Sequence, residues 1–131
     1  MNETNLDSRT VALRNKRFYR SIQYGQFYEW QIVALFYSAL HIIDHYAEVL
    51  GQKRYADHYQ RNMFVNKTPG LKPIRALYKH LYSQSREARY EGVMFDPKAV
   101  QDTLGMHAVI ISHVCKLLRS RPPGRDIPLL H

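Results

Sequence analysis

A run of mostly apolar residues, FYEWQIVALFYSALHIIDHYAEVLG from Phe27 to Gly51, predicts a long buried helix. At about 1.5 Å per residue, this helix would be about 36 Å long. Apolar residues cover most of its circumference, and its polar residues share one stripe. The stripe comprises Gln31, Ser38, His41, His45 and Glu48. We expect the rest of the chain to pack around this helix, whose Gly51 is suited to a left-handed C-cap.

Capping and breaking residues divide the rest of the chain into four further helices. Asp7 or Ser8 is suited to an N-cap, and Asp96-Pro97 is a strong start signal. A turn at Thr68-Pro69-Gly70 precedes Pro73, and Gly92 is suited to a helix end. The predicted helices run from Asp7 or Ser8 to about Ile22, from Tyr55 to Asn66, from Pro73 to Tyr90 and from Asp96 to about Ser120.

The apolar residues of these helices predict the faces that meet the core. The first helix has a strip of Val11, Phe18 and Ile22, and the fourth has Ile74, Leu77, Tyr78 and Leu81. The last helix has Val100, Leu104, Ala108, Ile111, Cys115 and Leu118 at helical spacing. No stretch alternates well enough to predict a strand.

The 131 residues are enough for one domain with a single core. We therefore predict an all-α, four- to five-helix up-and-down bundle that forms one domain over residues 1–131. Residues 1–6 are expected to be flexible, and Pro122-Pro123 predicts an extended tail over 121–131.

A net charge of +8 and a pI near 9.7 favour polyanionic partners, among them RNA and DNA. The basic residues Arg9, Lys16 and Arg20 recur on one side of the first helix, either as a solvated face or as a phosphate-contacting one. The single cysteine, Cys115, excludes an internal disulfide and fits a core thiol. With no signal peptide or membrane span in the pattern, we expect a soluble, cytoplasmic protein that does not bind membranes.

Two constellations of residues could carry chemistry. The first is His41, Asp44 and His45 with Glu48 a turn later, where two histidines four residues apart could share a metal. Asp is shorter than the Glu of the His-x-x-Glu-His signature and no third ligand is evident, so hydrogen-bonded helix histidines explain the spacing as well. We therefore expect neither a metal nor a cofactor.

The second constellation joins two helices, His58-x-x-Arg61-Asn62 on one and Ser85-Arg86-Glu87-Ala88-Arg89-Tyr90 on the other. Arginines could bind phosphates while an imidazole moves the proton of a ribose 2′-hydroxyl, as a metal-independent ribonuclease requires. The alternative is that Arg86 and Arg89 form ion pairs with Glu87, Glu91 or Asp57. Tyrosines could stack on bases or rim the core; the candidates are Tyr59, Tyr82 and Tyr90.

The order of these segments resembles the HEPN superfamily, whose members are small all-helical domains of prokaryotic toxins, defence systems and RNA-processing proteins. The resemblance covers roughly residues 10–120 and is carried, in order, by ALRNKRFYRSI, WQIVALFYSALHIIDHYAEVLG, DHYQRN and LYSQSREARYEG. It implies a homodimer, a fold of the HEPN type and, in active members, an Arg and polar residue followed by a His after four to six intervening residues.

The chain departs from that motif in two places. Arg61-Asn62 begins like it, but Asn66 or Lys67 stands where the histidine would fall. Arg75 and His80 have the spacing, but an alanine follows the arginine. The resemblance thus implies either an RNA-binding domain that cleaves RNA without metal, or a non-catalytic accessory or scaffold subunit that binds a partner protein, such as an antitoxin, or a nucleotide.

For the first of these functions, the candidate residues fall into three groups. The catalytic candidates are His58, Arg61, Asn62 and His80. The nucleic-acid-binding candidates are Arg75, Lys79, Arg86, Arg89 and Tyr90. His41 is a possible member of the same groove.

Overall fold

The structure, a computed structural model, describes residues 7–52, 55 and 57–120. This part of the chain is all-α, with five α-helices, one 3₁₀ helix and no strand. The α-helices are α1 (Ser8–Ile22), α2 (Tyr28–Val49), α3 (His58–Lys67), α4 (Arg75–Tyr90) and α5 (Pro97–Arg119), and the 3₁₀ helix is Pro69–Ile74. The all-α class predicted from the sequence is therefore confirmed.

Helix α2 is the centre of the bundle, as its composition predicts. It packs against α1, α4 and α5, and its residues Phe36, Leu40 and Ile43 are buried in the main core. Two of its polar residues bond to other helices: Ser38 lies 2.9 Å from Nε2 of His107 in α5, and Glu48 accepts a 2.6 Å hydrogen bond from Ser8 of α1. The polar stripe of α2 therefore helps to fix its neighbours.

The helix ends follow the capping residues of the sequence. The carboxylates of Asp7 and Asp96 accept hydrogen bonds from the backbone N–H groups of Thr10 and Ala99, at 2.7 and 2.8 Å. Gly51 has φ +90°, and the 3.0 Å bond from its N–H to the carbonyl of Glu48 belongs to a Schellman motif that ends α2. Gly92, with φ +64°, follows α4 in the same region of φ.

Two predicted helix starts are wrong. The third helix begins at His58 and not at Tyr55, because Asp57 is its N-cap and accepts a 2.8 Å hydrogen bond from the N–H of Gln60. Pro73 lies inside the 3₁₀ helix, which begins at Pro69 directly after Thr68, and α4 starts at Arg75. The 3₁₀ helix thus replaces the simple turn expected there.

The buried faces of α1 and α5 differ from their predicted apolar strips. In α1 the buried residues are Ser8, Ala12 and Tyr19, whereas Phe18 is 46 % exposed. In α5 the buried face carries Thr103 and His107, with apolar residues Val100, Ile110, Val114 and Leu118. Hydrogen bonds explain why two polar residues are buried: Thr103 donates to the carbonyl of Ala99, and His107 pairs with Ser38. Part of the predicted apolar strip of α5 consequently lies at the edge of the core.

Among the helices of the described residues, none combines the length and the apolarity that crossing a bilayer would require. The predictions for residues 1–6 and 121–131 lie outside the described part of the chain.

Candidate functional site

Three helices meet at the ring of Phe36, which is fully buried in α2. The imidazole of His58 in α3 lies 6.0 Å from this ring, and the ring of Tyr82 in α4 also lies 6.0 Å from it, all between centroids. His58 and Tyr82 contact each other at 5.2 Å. The start of α3 is therefore packed against the middle of α2 and α4, and His58 lies at their junction.

Two arginines of α4 extend this aromatic group towards solvent. The guanidinium of Arg86 lies 5.9 Å from the ring centroid of Tyr82 and 5.8 Å from that of Tyr90. The guanidinium of Arg89 lies 4.9 Å from the centroid of Tyr90 and 5.2 Å from that of Tyr37, whose hydroxyl accepts a hydrogen bond from it. We call this group the Arg–Tyr cluster; it comprises Tyr37, His58, Tyr82, Arg86, Arg89 and Tyr90.

The arginines of the cluster have no acidic partner among the described residues. Neither Arg86 nor Arg89 lies within ion-pairing distance of a carboxylate of residues 7–52, 55 and 57–120, so the expected alternative of ion pairs with Glu87, Glu91 or Asp57 is not observed. Their contacts are rings, hydroxyls and the carbonyl of Ser85, which accepts a 3.2 Å hydrogen bond from Nε of Arg89. Arg86 and Tyr90 are exposed, so the charge of the cluster is open to solvent.

The surroundings of His58 favour the uncharged form of its imidazole. Burial lowers the pKa of its imidazole, and the positive charges of Arg61, Arg89 and Arg86 lower it further. Its Nδ1 atom is buried and has no hydrogen-bond partner among the described residues. The same holds for Oδ1 of Asn62, one helical turn further along α3. An uncharged imidazole beside two guanidinium groups is suited to accept a proton from a bound group.

Arg61 is buried and neutralised. Its Nε and one terminal nitrogen donate to the two carboxylate oxygens of Asp44 at 2.8 and 3.1 Å, and that terminal nitrogen also donates to the carbonyl of Tyr55 at 2.9 Å. The side chain of Asp44 is completely buried in α2. Arg61 thus attaches α3 to α2 and contributes positive potential at His58, while its Nε and one terminal nitrogen are occupied by the protein.

His41 joins these two groups of residues. Its ring stacks on that of Tyr37 with centroids 6.3 Å apart, and its Nδ1 lies 3.9 Å from a carboxylate oxygen of Asp44. It therefore lies between the Arg–Tyr cluster and the Asp44–Arg61 pair, close to the groove in which the sequence suggested it.

The remaining candidates on α4 do not join the cluster. Arg75 donates to the carbonyls of Val65 and Thr68 at 2.9 and 3.3 Å, and so ties the end of α3 to the start of α4. Lys79 is exposed and shares the side of α4 that carries Arg86, two turns away. His80 is exposed and, two residues before Tyr82, lies on a different side of α4. The pair of Arg75 and His80 is thus not assembled within one chain.

The histidines of α2 do not form a metal centre with the described residues. Within residues 7–52, 55 and 57–120, no three His, Cys, Asp or Glu side chains converge as a metal would require. Burial lowers the pKa of His45, with smaller opposing effects from Glu48 and Asp7.

Two residues of the site escaped the sequence-based reasoning. Tyr37 was hidden among the apolar residues of α2, and nothing in its spacing singles it out. Asp44 was considered only as a metal ligand, although an aspartate in a helix destined for burial must find a cationic partner. That requirement could have predicted a buried ion pair between Asp44 and a cation such as Arg61.

Comparison with protein-family models, with curated proteins and with solved structures finds no match to this chain.

Proposed function

We propose that this chain is an RNA-binding domain of the HEPN type that cleaves RNA without a metal ion, as part of a toxin or defence system in the cytoplasm. The observation that supports it best is the Arg–Tyr cluster: two guanidinium groups, without acidic partners in the part of the chain that the structure describes, lie on tyrosine rings beside a partly buried imidazole whose pKa is lowered. The five-helix bundle and the segment order that resembles HEPN domains are consistent with this proposal.

The cluster contains both kinds of group that bind single-stranded RNA. The side chains that would bind phosphates are those of Arg86, Arg89 and, about two turns nearer the start of α4, Lys79. The exposed ring of Tyr90 would stack on a base. Residues Lys79 to Tyr90 span about 16 Å of helix at 1.5 Å per residue, enough for more than one nucleotide. Tyr59, which is 73 % exposed near the start of α3, could add a second stacking surface.

In the cleavage step, the imidazole of His58 takes the proton of a ribose 2′-hydroxyl. The 2′ oxygen attacks the adjacent phosphorus, and the bond from phosphorus to the 5′ oxygen breaks, leaving a 2′,3′-cyclic phosphate and a 5′-hydroxyl. The imidazolium, or water, supplies the proton that the departing oxygen needs. Arg86 and Arg89 stabilise the charge that develops on the phosphate.

RNA binding is tested by fluorescence anisotropy with a labelled single-stranded RNA over a series of salt concentrations. Arg86→Ala and Arg89→Ala should each weaken binding on the order of tenfold and lower the slope of log affinity against log salt by about 1. Arg14→Ala is the matched control, because Arg14 is exposed on α1 and its loss changes the net charge equally. If all three variants lose the same affinity, binding depends on overall charge and the proposed site is wrong.

Cleavage is tested in EDTA with the same RNA, comparing wild type, His58→Asn and His80→Asn. We expect 2′,3′-cyclic phosphate products from wild type and none from His58→Asn. If only His80→Asn loses cleavage, then His80 and not His58 accepts the proton. Products at background level from wild type, with RNA binding retained, would leave an RNA-binding domain without catalysis.

An exposed aromatic patch favours a second candidate function, that of a non-catalytic accessory or scaffold subunit. Phe18, Phe27 and Trp30 are 46, 60 and 51 % exposed and, with Ile22, line one hollow where α1 and α2 meet. Exposed apolar groups that adjoin one another are typical of protein-binding surfaces. Trp30 also borders the hollow next to Arg89, so a bound protein would lie close to the Arg–Tyr cluster.

Sedimentation velocity distinguishes the possible occupants of this patch. A dimer that Phe18→Ser and Trp30→Ser convert to a monomer would identify a second copy, as the resemblance implies. If the wild type stays monomeric at high concentration and neither binds nor cleaves RNA, the result would instead support a non-catalytic subunit whose patch binds a different protein.

A further inference from the structure

A pocket of about 410 Å³ lies on the side of the bundle formed by α1, α2 and α5. It shares no lining residue with the Arg–Tyr cluster. Its volume is within the range of small-molecule sites, roughly 300–1,000 Å³. Ser38 and Ile42 of α2 are its buried floor, and α1 and α5 form its walls.

The walls of the pocket are largely apolar because of the way in which α5 is oriented. The helix buries Thr103 and His107, so that Ala108, Ile111 and Cys115 are left at the edge of the core and line the pocket. On the opposite wall, Ala12 and Leu13 of α1 complete the apolar surface. Burial raises the pKa of the Cys115 thiol, which keeps it uncharged.

The polar part of the pocket is cationic. Arg9, Lys16 and Arg20 line it, and none of the described residues that line it is acidic. Burial lowers the pKa of the Lys16 ammonium group, and the charge of Arg20 lowers it further, so these two cations lie close together without a carboxylate. Asp7 lies near enough to Arg9 to feel its charge, but its carboxylate caps α1.

Two buried polar atoms on lining residues are unused. Nε of Arg9 and Nδ1 of His107 have no hydrogen-bond partner among the described residues. His107 is 4 % exposed, and its other ring nitrogen is occupied by Ser38. Both atoms are buried, so the groups that a ligand in the pocket can contact are the partly or fully exposed side chains of Arg9, Lys16 and Arg20.

We propose that this pocket binds a small amphipathic carboxylate, whose charged head lies beside Lys16 and Arg20 and whose apolar body lies between α1 and α5. A guanidinium group binds a carboxylate through two parallel hydrogen bonds, which gives the head a defined position. A sugar or a free nucleotide would leave most of its hydroxyls against the apolar walls. An inorganic anion would leave the walls uncovered.

The probe is octanoate, titrated into the full chain by isothermal calorimetry. Two matched compounds separate the contributions: 1-octanol has the same chain without the charge, and acetate has the same charge without the chain. We expect octanoate to bind at one site, and both octanol and acetate to bind at least tenfold more weakly.

Variants locate the site on the protein. Lys16→Gln should weaken octanoate binding about tenfold, whereas Arg14→Gln, an equal charge change on the exposed side of the same helix, should leave it unaltered. Ala108→Phe keeps every cation and fills the mouth of the pocket, so it should abolish binding. Ala108 is exposed, which lets circular dichroism confirm that this variant folds.

Several results would overturn the inference. Equal binding of octanol would identify an apolar cavity only, and equal binding of acetate or phosphate would identify a nonspecific anion site. Equal loss in Lys16→Gln and Arg14→Gln would show a general effect of charge. The test is independent of the proposed RNA function, because Arg86→Ala should bind octanoate like wild type and Lys16→Gln should bind RNA like Arg14→Gln.

Discussion

Removing Arg61 should destabilise the protein severely, because it takes a cation and two hydrogen bonds away from the fully buried carboxylate of Asp44. The side chains of Arg61 and Asp44 are 7 % and 0 % exposed, and two hydrogen bonds of 2.8 and 3.1 Å join them. Breaking a buried pair by removing one partner costs about 3–5 kcal/mol. Arg61→Ala should lose free energy of unfolding of that order, a large share of the roughly 5–15 kcal/mol of an ordinary domain.

The assay is urea unfolding followed by circular dichroism, for wild type, Arg61→Ala, Asp44→Leu and the double variant Asp44→Leu/Arg61→Met. Replacing both partners by apolar residues removes the buried carboxylate together with its cation, so the double variant should be more stable than Arg61→Ala. A loss below about 1 kcal/mol in Arg61→Ala, or a double variant as unstable as Arg61→Ala, would refute this reasoning.

This prediction affects how RNA assays are interpreted. An inactive Arg61→Ala variant would not demonstrate that Arg61 contacts RNA, because the fraction of folded protein would fall as well. The variants at Arg86 and Arg89 avoid this difficulty, since neither arginine neutralises a buried acid.

Three further predictions concern local features of the fold. Burial, and to a smaller extent the charge of Lys16, lower the pKa of His107 from 6.5 to about 4. The histidine is therefore protonated more readily in the unfolded chain, and the free energy of unfolding should fall by roughly 3 kcal/mol as the pH drops from above 6.5 towards 4. Urea unfolding of His107→Phe should lack this contribution. Gly51→Ala should cost about 1 kcal/mol in thermal unfolding because φ is +90° there, whereas Gly105→Ala, in open space within α5, should stabilise by up to about 1 kcal/mol. Asp96→Ala removes the N-cap of α5 and should cost about 1 kcal/mol, whereas Asp102→Ala, which loses only an exposed 3.7 Å ion pair, should cost less than half of that.

The helices were predictable because their signals are local. An aspartate before a helix or a glycine after one acts on backbone groups within a few residues, so Asp96 and Gly51 could be assigned from the sequence, and Asp7 was one of two candidates for the first cap. The start of α3 was misplaced because Asp57, two residues after Tyr55, is the stronger capping residue.

The orientation of α1 and α5 was less predictable, because it depends on partners distant in sequence. His107 is buried only because Ser38 faces it from another helix, and that pairing turns the apolar strip with Ala108 and Ile111 towards the pocket. Periodicity measures the amount of apolar surface on a helix, and it does not identify which polar residues have found a hydrogen-bond partner.

The candidate site was predictable as a set of residues and not as an arrangement. The sequence grouped His58 with Arg86 and Arg89 by residue type, and in the structure these side chains are neighbours. It could not determine that Arg61 is neutralised by Asp44 or that Arg75 binds backbone carbonyls. Both outcomes depend on competition for each guanidinium between acidic groups, carbonyls and solvent, which only the folded arrangement decides.

Helix α3 has few buried apolar residues, and this determines how the Arg–Tyr cluster would come apart by local unfolding. Only Arg61 and Val65 of α3 are buried. The other helices are held in the bundle by a hydrophobic face, whereas α3 depends largely on the ion pair between Arg61 and Asp44. Regions with little apolar burial open locally at low free-energy cost. Because His58 is part of α3, local unfolding of this helix would move the imidazole away from Arg86 and Arg89 at the same time. Amide hydrogen exchange should therefore find α3 exchanging as one cooperative unit, well before α2.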